Sequence, residues 1–271
     1  MPDAADALTG WTSAPYTAAG LTYEVFTREP ASGPGPGVVL MPEIPGMTPA
    51  VMGLGNHLVG EGFTVEIPSL FGKPGRSMSA GYGLGTFAKA CITREFAAFT
   101  RRADRPIAEY IRALARSLHA RVGGPGVGVI GMCFTGGFAL AAAVEPAVLA
   151  PVASQPTLPL PLGKARQSDI GMSEREEAVV AERVRTEGLC LVGLRFTGDA
   201  MVRGERFTAL EGTFGPGWRA IPIDSGAGNP HGIGKGEHSV LTNADVDEPG
   251  HPTNAARGEV TAFLRERLAA R

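Results

Sequence analysis

The chain has 271 residues, 44% hydrophobic and 19% charged, with a formal net charge of −2. That is enough apolar sequence to bury a full core in one domain, while the near-neutral balance and the absence of long runs of like charge argue against nucleic acid as a partner. No apolar stretch reaches the roughly 18 residues of a membrane span, and Met1 to Pro15 lacks the basic and apolar regions of a secretory signal, so the expected setting is cytoplasmic, with a small molecule and no membrane as partner.

In chain order, Leu21 to Thr27 reads as an early strand and Gly37 to Met41 as the next. Thr48-Pro49 supplies an N-cap and a first-turn proline for a helix, after which Phe63 to Ile67 reads as strand. Arg105 to Arg121 reads as helix. The apolar run Val127 to Ile130 leads into Gly131-Met132-Cys133-Phe134-Thr135-Gly136-Gly137, and the alanine-rich stretch to Ala143 suits a helix. Val148 to Ala153 reads as strand. Pro156, Pro159 and Pro161 then exclude regular helix, which makes the stretch around 151–172 either a lid or a plain loop. Ser173 with Glu176 forms a capping box for a helix reaching about Thr186, and Leu189 to Phe196 and Trp218 to Ile223 read as the last strands. Thr253 is expected to cap a terminal helix in which Val260, Phe263, Leu264 and Leu268 share one core-facing side. Strands alternating with amphipathic helices are the pattern of a mostly parallel sheet covered on both faces.

The segment around Cys133 carries the chemistry. Strand, sharp turn and helix, with small residues two before and two after the cysteine, lift the thiol clear of the sheet beside a helix N-terminus. A thiol placed there is favoured as thiolate. Asp199 lies in Thr197-Gly198-Asp199 directly after a strand, where loops at strand carboxyl ends build sites, and His238 lies in Gly236-Glu237-His238-Ser239 after the last strand. The order nucleophile, acid, histidine is that of α/β-hydrolases. Plainer readings stand beside each: a small buried hydrophobe for Cys133, a turn former with Gly198 for Asp199, and His231 as the rival of His238. Cys91 and Cys190 sit at no such turn, and His57, His119 and His251 read as helix-face or surface residues. The three cysteines have neither metal-ligand spacing nor the count of a disulfide framework.

These residues resemble the dienelactone hydrolase family, whose nucleophile elbow is built on cysteine in a Gly-x-Cys-x-Gly-Gly pattern. The resemblance covers most of the chain and implies an α/β-hydrolase fold, with a mostly parallel central sheet, helices on both faces and residues 1–271 as a single domain. It implies a triad of Cys133, Asp199 and His238. It adds Glu43, in Met41-Pro42-Glu43-Ile44-Pro45-Gly46, as the glutamate that helps deprotonate the cysteine when substrate binds, and the backbone N–H groups of Ile44 and Phe134 as the oxyanion hole. The implied activity is the opening of a small ester or lactone, dienelactone-like, through a Cys133 thioester, by a monomer or homodimer with no metal or cofactor.

Two positions depart from the family pattern. Thr135 stands where the family has glycine, and Thr242 stands where it has the arginine that binds the substrate carboxylate. Arg94 is the candidate for a replacement cation, against the reading of a solvated surface charge, and Glu43 has the alternative role of capping the turn after it. The missing arginine keeps two other functions in view: an esterase or thioesterase acting on a substrate without a carboxylate, and a non-catalytic α/β-hydrolase-like binding protein. A redox role for Cys133 is disfavoured because no resolving cysteine lies nearby in sequence.

Overall fold

Gly37–Met41 and Val127–Met132 are buried along their whole length, which only a strand covered on both sides can satisfy, and they lie side by side at the centre of one sheet. The computed structural model describes residues 4–94, 96, 104–158 and 163–269. In chain order the first elements are α1 (Ala4–Ala7), β1 (Thr12–Ala18), β2 (Leu21–Arg28), β3 (Gly37–Met41), α2 (Pro49–Gly60), β4 (Thr64–Pro68), α3 (Ala80–Ile92) and α4 (Pro106–Val122). Then come β5 (Val127–Met132), a 3₁₀ turn at Cys133–Thr135, α5 (Gly136–Ala142), β6 (Val148–Ser154), α6 (Lys164–Gln167) and α7 (Glu174–Glu187). The chain closes with β7 (Leu191–Phe196), α8 (Gly204–Phe214), β8 (Trp218–Ile223) and α9 (Pro252–Leu268).

The sheet has eight strands in the order β1-β2-β4-β3-β5-β6-β7-β8. The pairings β1–β2 and β2–β4 are antiparallel, and the rest are parallel. Because side chains alternate across a strand, β3 sends Val39 and Met41 to one face and Val38 and Leu40 to the other. The first face packs on Ile111, Leu114 and Leu118 of α4 and on the alanines of α5, and the second on Leu54 and Leu58 of α2 and on α9. The expected core residues of α9, Val260, Phe263, Leu264 and Leu268, are at most 3% exposed. Leu264 fills the space over Gly128 of β5, where any Cβ would come within 2.6 Å of it. Leu264→Ala is expected to destabilise the fold by about 3 kcal/mol, read from the urea midpoint.

The expected caps are present at two helices. Thr48 accepts from the Val51 amide, and Ser173 and Glu176 exchange both bonds of a capping box. At α9 the cap is His251, two residues earlier than expected, with Thr253 inside the first turn and its hydroxyl 2.6 Å from His251 Nδ1. Three elements escape the sequence patterns. Strand β1 is an exposed edge whose polar sequence includes a proline. Helix α3 carries three glycines that mask its periodicity behind its Ser79 cap, and α8 starts without a side-chain cap. In the stretch around 151–172, Pro151 lies within β6, and Pro156 to Leu158 are buried. Arg206 donates to the Pro156 carbonyl and Arg105 to that of Gly171, tying both ends of the stretch down. Pro159 and Pro161 lie outside the described residues. Among the described residues no helix is long and apolar enough to cross a membrane.

Candidate active site

Strand β5 ends at Met132 and the chain turns at once, with Cys133 at φ +53°, a left-handed conformation costly for any residue but glycine. Such strain persists only when the surroundings impose it. Gly131 permits the tight return, since a Cβ there would lie 2.3 Å from the Thr135 carbonyl oxygen. Thr135, the departure from the glycine pattern, is fully buried, and its hydroxyl accepts from the Met132 amide and lies 2.9 Å from the Met132 carbonyl. A hydroxyl thus closes the elbow. Phe134 is the second residue of the 3₁₀ turn, so its amide belongs to the first-turn donors that have no partner within a helix. Ile44, the other expected oxyanion donor, lies half-buried in the loop after β3, the strand paired with β5.

Asp199 and His238 meet at the same end of the sheet. Asp199 follows β7 in a turn held by Ser225, whose hydroxyl accepts from the Gly198 amide. One Asp199 oxygen accepts from the Met201 amide, and the other lies 2.6 Å from His238 Nδ1. The opposite ring nitrogen, Nε2, is buried with no hydrogen-bond partner among the described residues, and the Cys133 side chain is near enough to act on the charge of the ring. Burial works against a charged ring here. The hydrogen bonds and charges of Asp199 and Cys133 outweigh it and push the His238 pKa up to about 11. The site therefore favours the protonated form of the His238 ring. His231, the rival, is exposed and stacks edge-on against His251.

Glu43 has partners that the sequence did not reveal. It is buried, and its carboxylate accepts from Gln155 Nε2 at 3.1 Å, from Ser239 Oγ at 2.7 Å and from Thr242 Oγ1. Its hydrogen bonds go to these three donors, two of which, Ser239 and Thr242, follow His238 in the same loop. Thr242, in the place of the family arginine, is one of the donors. Gln155 completes the clamp: it sits at φ +36° just after β6, and its side-chain oxygen accepts from the Val240 amide. A polar residue with positive φ directly after a strand was the available signal. Arg94 is exposed in the turn after α3, and it is not among the residues lining the hollow beside that helix. Cys91 and Cys190 lie elsewhere, and burial pushes both thiols up, as suits inert cysteines.

A hollow of about 1030 Å³ lies by Arg28, Gly62 and Arg121 at the amino ends of the parallel strands, the wrong end for this chemistry. A second, of about 750 Å³, opens beyond the carboxyl end of β4 and is lined by Phe71 and Phe96. The Phe71 and Phe96 rings lie 6.0 Å and 5.5 Å from that of Phe134, the residue after Cys133, which places this hollow beside the elbow.

Comparison with solved structures shows the fold. A Klebsiella pneumoniae protein named for dienelactone hydrolase is 15% identical, with a TM-score of 0.64 over 94% of this chain and 98% of that one. A dienelactone hydrolase-like promiscuous phosphotriesterase from metagenomic libraries is 18% identical, with a TM-score of 0.60 over 94% and 98%. An α/β serine hydrolase without lid from Xanthomonas campestris is 13% identical, with a TM-score of 0.55 over 97% of each chain. No curated protein matches the chain. The model of the dienelactone hydrolase family matches residues 23–172, more than half of the sequence, and takes in Glu43, Ile44, Cys133 and Phe134, while the fold brings Asp199 and His238 from beyond it. On that match, carried by an α/β-hydrolase sheet with its elbow at Cys133, the chain belongs to the dienelactone hydrolase family.

Proposed function

We propose that the protein hydrolyses a small ester or lactone through a thioester on Cys133. The observation that carries this reading is the Asp199–His238 pair beside Cys133, in which hydrogen bonding and charge from both partners hold the histidine proton against burial. An imidazolium beside a strained, elbow-mounted cysteine is the resting form of a thiolate nucleophile.

In the acylation step the Cys133 sulfur attacks the carbonyl carbon, and the C=O electron pair moves onto oxygen, stabilised by the Ile44 and Phe134 amides. As the tetrahedral intermediate collapses, the C–O bond to the leaving group breaks and His238 Nε2–H protonates the departing oxygen. The neutral imidazole then takes a proton from water. The resulting hydroxide attacks the thioester carbon, the C–S bond breaks, and the acid product leaves with the thiolate–imidazolium pair restored. Asp199 keeps Nδ1 protonated and Nε2 aimed at the reaction throughout. Glu43 acts as a positioning residue, through the Ser239 and Thr242 hydroxyls that hold the histidine loop.

The test is hydrolysis of p-nitrophenyl butyrate followed alongside titration with iodoacetamide. Loss of activity in step with alkylation of one thiol, identified as Cys133 by peptide mass, is the expected result. Full activity after Cys133 is alkylated would remove the thioester mechanism, and no hydrolysis of any activated ester would favour a binding protein of the same fold.

A further inference from the structure

The hollow of about 750 Å³ beside the elbow has a composition unlike the rest of this net-negative chain. Lys73, Arg76 and Lys89 line it, and among the described residues no carboxylate does. None of the three pairs with an acid among the described residues, whereas other surface arginines such as Arg116 and Arg121 have carboxylate partners. Helix α3, one wall of the hollow, contains no acidic residue. Phe71 and Phe96 supply apolar lining to the same hollow.

The loop that carries Lys73 and Arg76 is held in place. Tyr82 Oη accepts from the Lys73 amide at 2.5 Å, and the Arg76 guanidinium lies over the Tyr82 ring, 4.1 Å from its centroid. This rivets the 71–76 loop to α3. The same loop is pressed against the loop that bears Ile44. At Gly72, with φ +58°, a Cβ would stand 2.3 Å from the Pro45 carbonyl oxygen, and at Gly46 one would stand 2.3 Å from that of Phe71. The hollow is thus bounded by backbone packed on the loop of one oxyanion donor and by rings packed on the side chain of the other.

We infer that this hollow binds the non-reacting part of the substrate, and that this part is an apolar, preferably aromatic, body ending in an oxyanion gripped by Lys73, Arg76 and Lys89. The apolar end lies against Phe71 and Phe96, towards Phe134, and the anion lies at the outer, cationic end. The inference rests on the hydrolase reading for the word substrate, but the binding site itself does not require turnover. The cation once expected at position 242 is supplied here by a different loop and helix, farther out, which suits a longer acid than one bearing its carboxylate next to the scissile bond.

Binding is measured by calorimetry on the Cys133→Ala protein with phenylacetate, phenyl phosphate and the neutral phenethyl alcohol. The anions are expected to bind more tightly than the alcohol and to weaken as salt is raised. Replacing Lys73, Arg76 and Lys89 together with alanine is expected to weaken the anions by about tenfold, the sum of three partly solvated pairs, and the alcohol by less than about twofold. The relative affinities of phenylacetate and phenyl phosphate identify the head group. Arg76→Gln alone tests the site if the triple variant does not fold. In parallel, native protein is assayed with p-nitrophenyl hydrogen succinate and p-nitrophenyl butyrate. Anion binding that depends on the cations, with neither ester hydrolysed, would leave the site standing and overturn the hydrolase reading. Hydrolysis without any preference for anions in binding, or anion binding indifferent to the three substitutions, would overturn the site and leave the hydrolase reading intact.

Discussion

Cys133→Ala is expected to lower the hydrolysis of p-nitrophenyl butyrate by about 10⁴-fold or more, because the nucleophile, the imidazolium and the oxyanion donors act as one unit and the loss of one removes nearly the whole advantage. Folding should survive. The side chain is small and 8% exposed, and the φ of +53° is imposed by Gly131 and the Thr135 hydroxyl, which the substitution leaves in place. A denaturation midpoint close to that of native protein, with activity gone, is the outcome that assigns the chemistry to the thiol. Equal rates for the two proteins would sink the proposed mechanism.

Asp199→Asn should lower kcat by roughly a hundredfold or more, since the neutral amide no longer favours the protonated ring or fixes its Nδ1 proton. The accompanying change is in titration. In native protein His238 is held protonated from its ordinary 6.5 up to about 11, against the penalty of burial, by hydrogen bonds and charge from Asp199 and Cys133. Its ring resonances are therefore expected to show no inflection near pH 6.5, and the Asn variant to bring the inflection down. The sign for stability follows. A folded-state pKa above the free value stabilises the fold fully below pH 6.5, and that contribution is lost as the pH rises through about 11. The gap in denaturation midpoint between native and Asn protein should narrow over that interval. A native His238 that titrates near 6.5 would mean that the Asp199 and Cys133 contacts do not persist in solution.

The relation between sequence and structure is clearest at particular elements. Strands β3, β5, β7 and β8 are legible because each is an apolar run bounded by turn residues, and the caps at Thr48 and at Ser173 with Glu176 are legible because a cap needs only its own first turn. The elbow belongs to the same class: its glycines, its positive φ and the helix after it are neighbours in the chain. Strand β1 and helix α3 were hidden because neither has a periodic buried face: the strand is an edge that faces solvent, and the helix is rich in glycine and largely exposed.

By itself, then, the sequence determined the alternating fold and named the candidates for nucleophile, acid and histidine, all carried by local pattern and chain order. Only the tertiary structure decided which groups touch. Asp199 reaches His238 across 39 residues, and Glu43 accepts from Gln155, Ser239 and Thr242, 112 to 199 residues away. The cationic hollow likewise joins the loop after β4 to a helix that no pattern revealed. The physical reason is that loops at the carboxyl ends of separate strands converge only when the sheet is assembled, so a buried carboxylate takes the donors that packing brings to it.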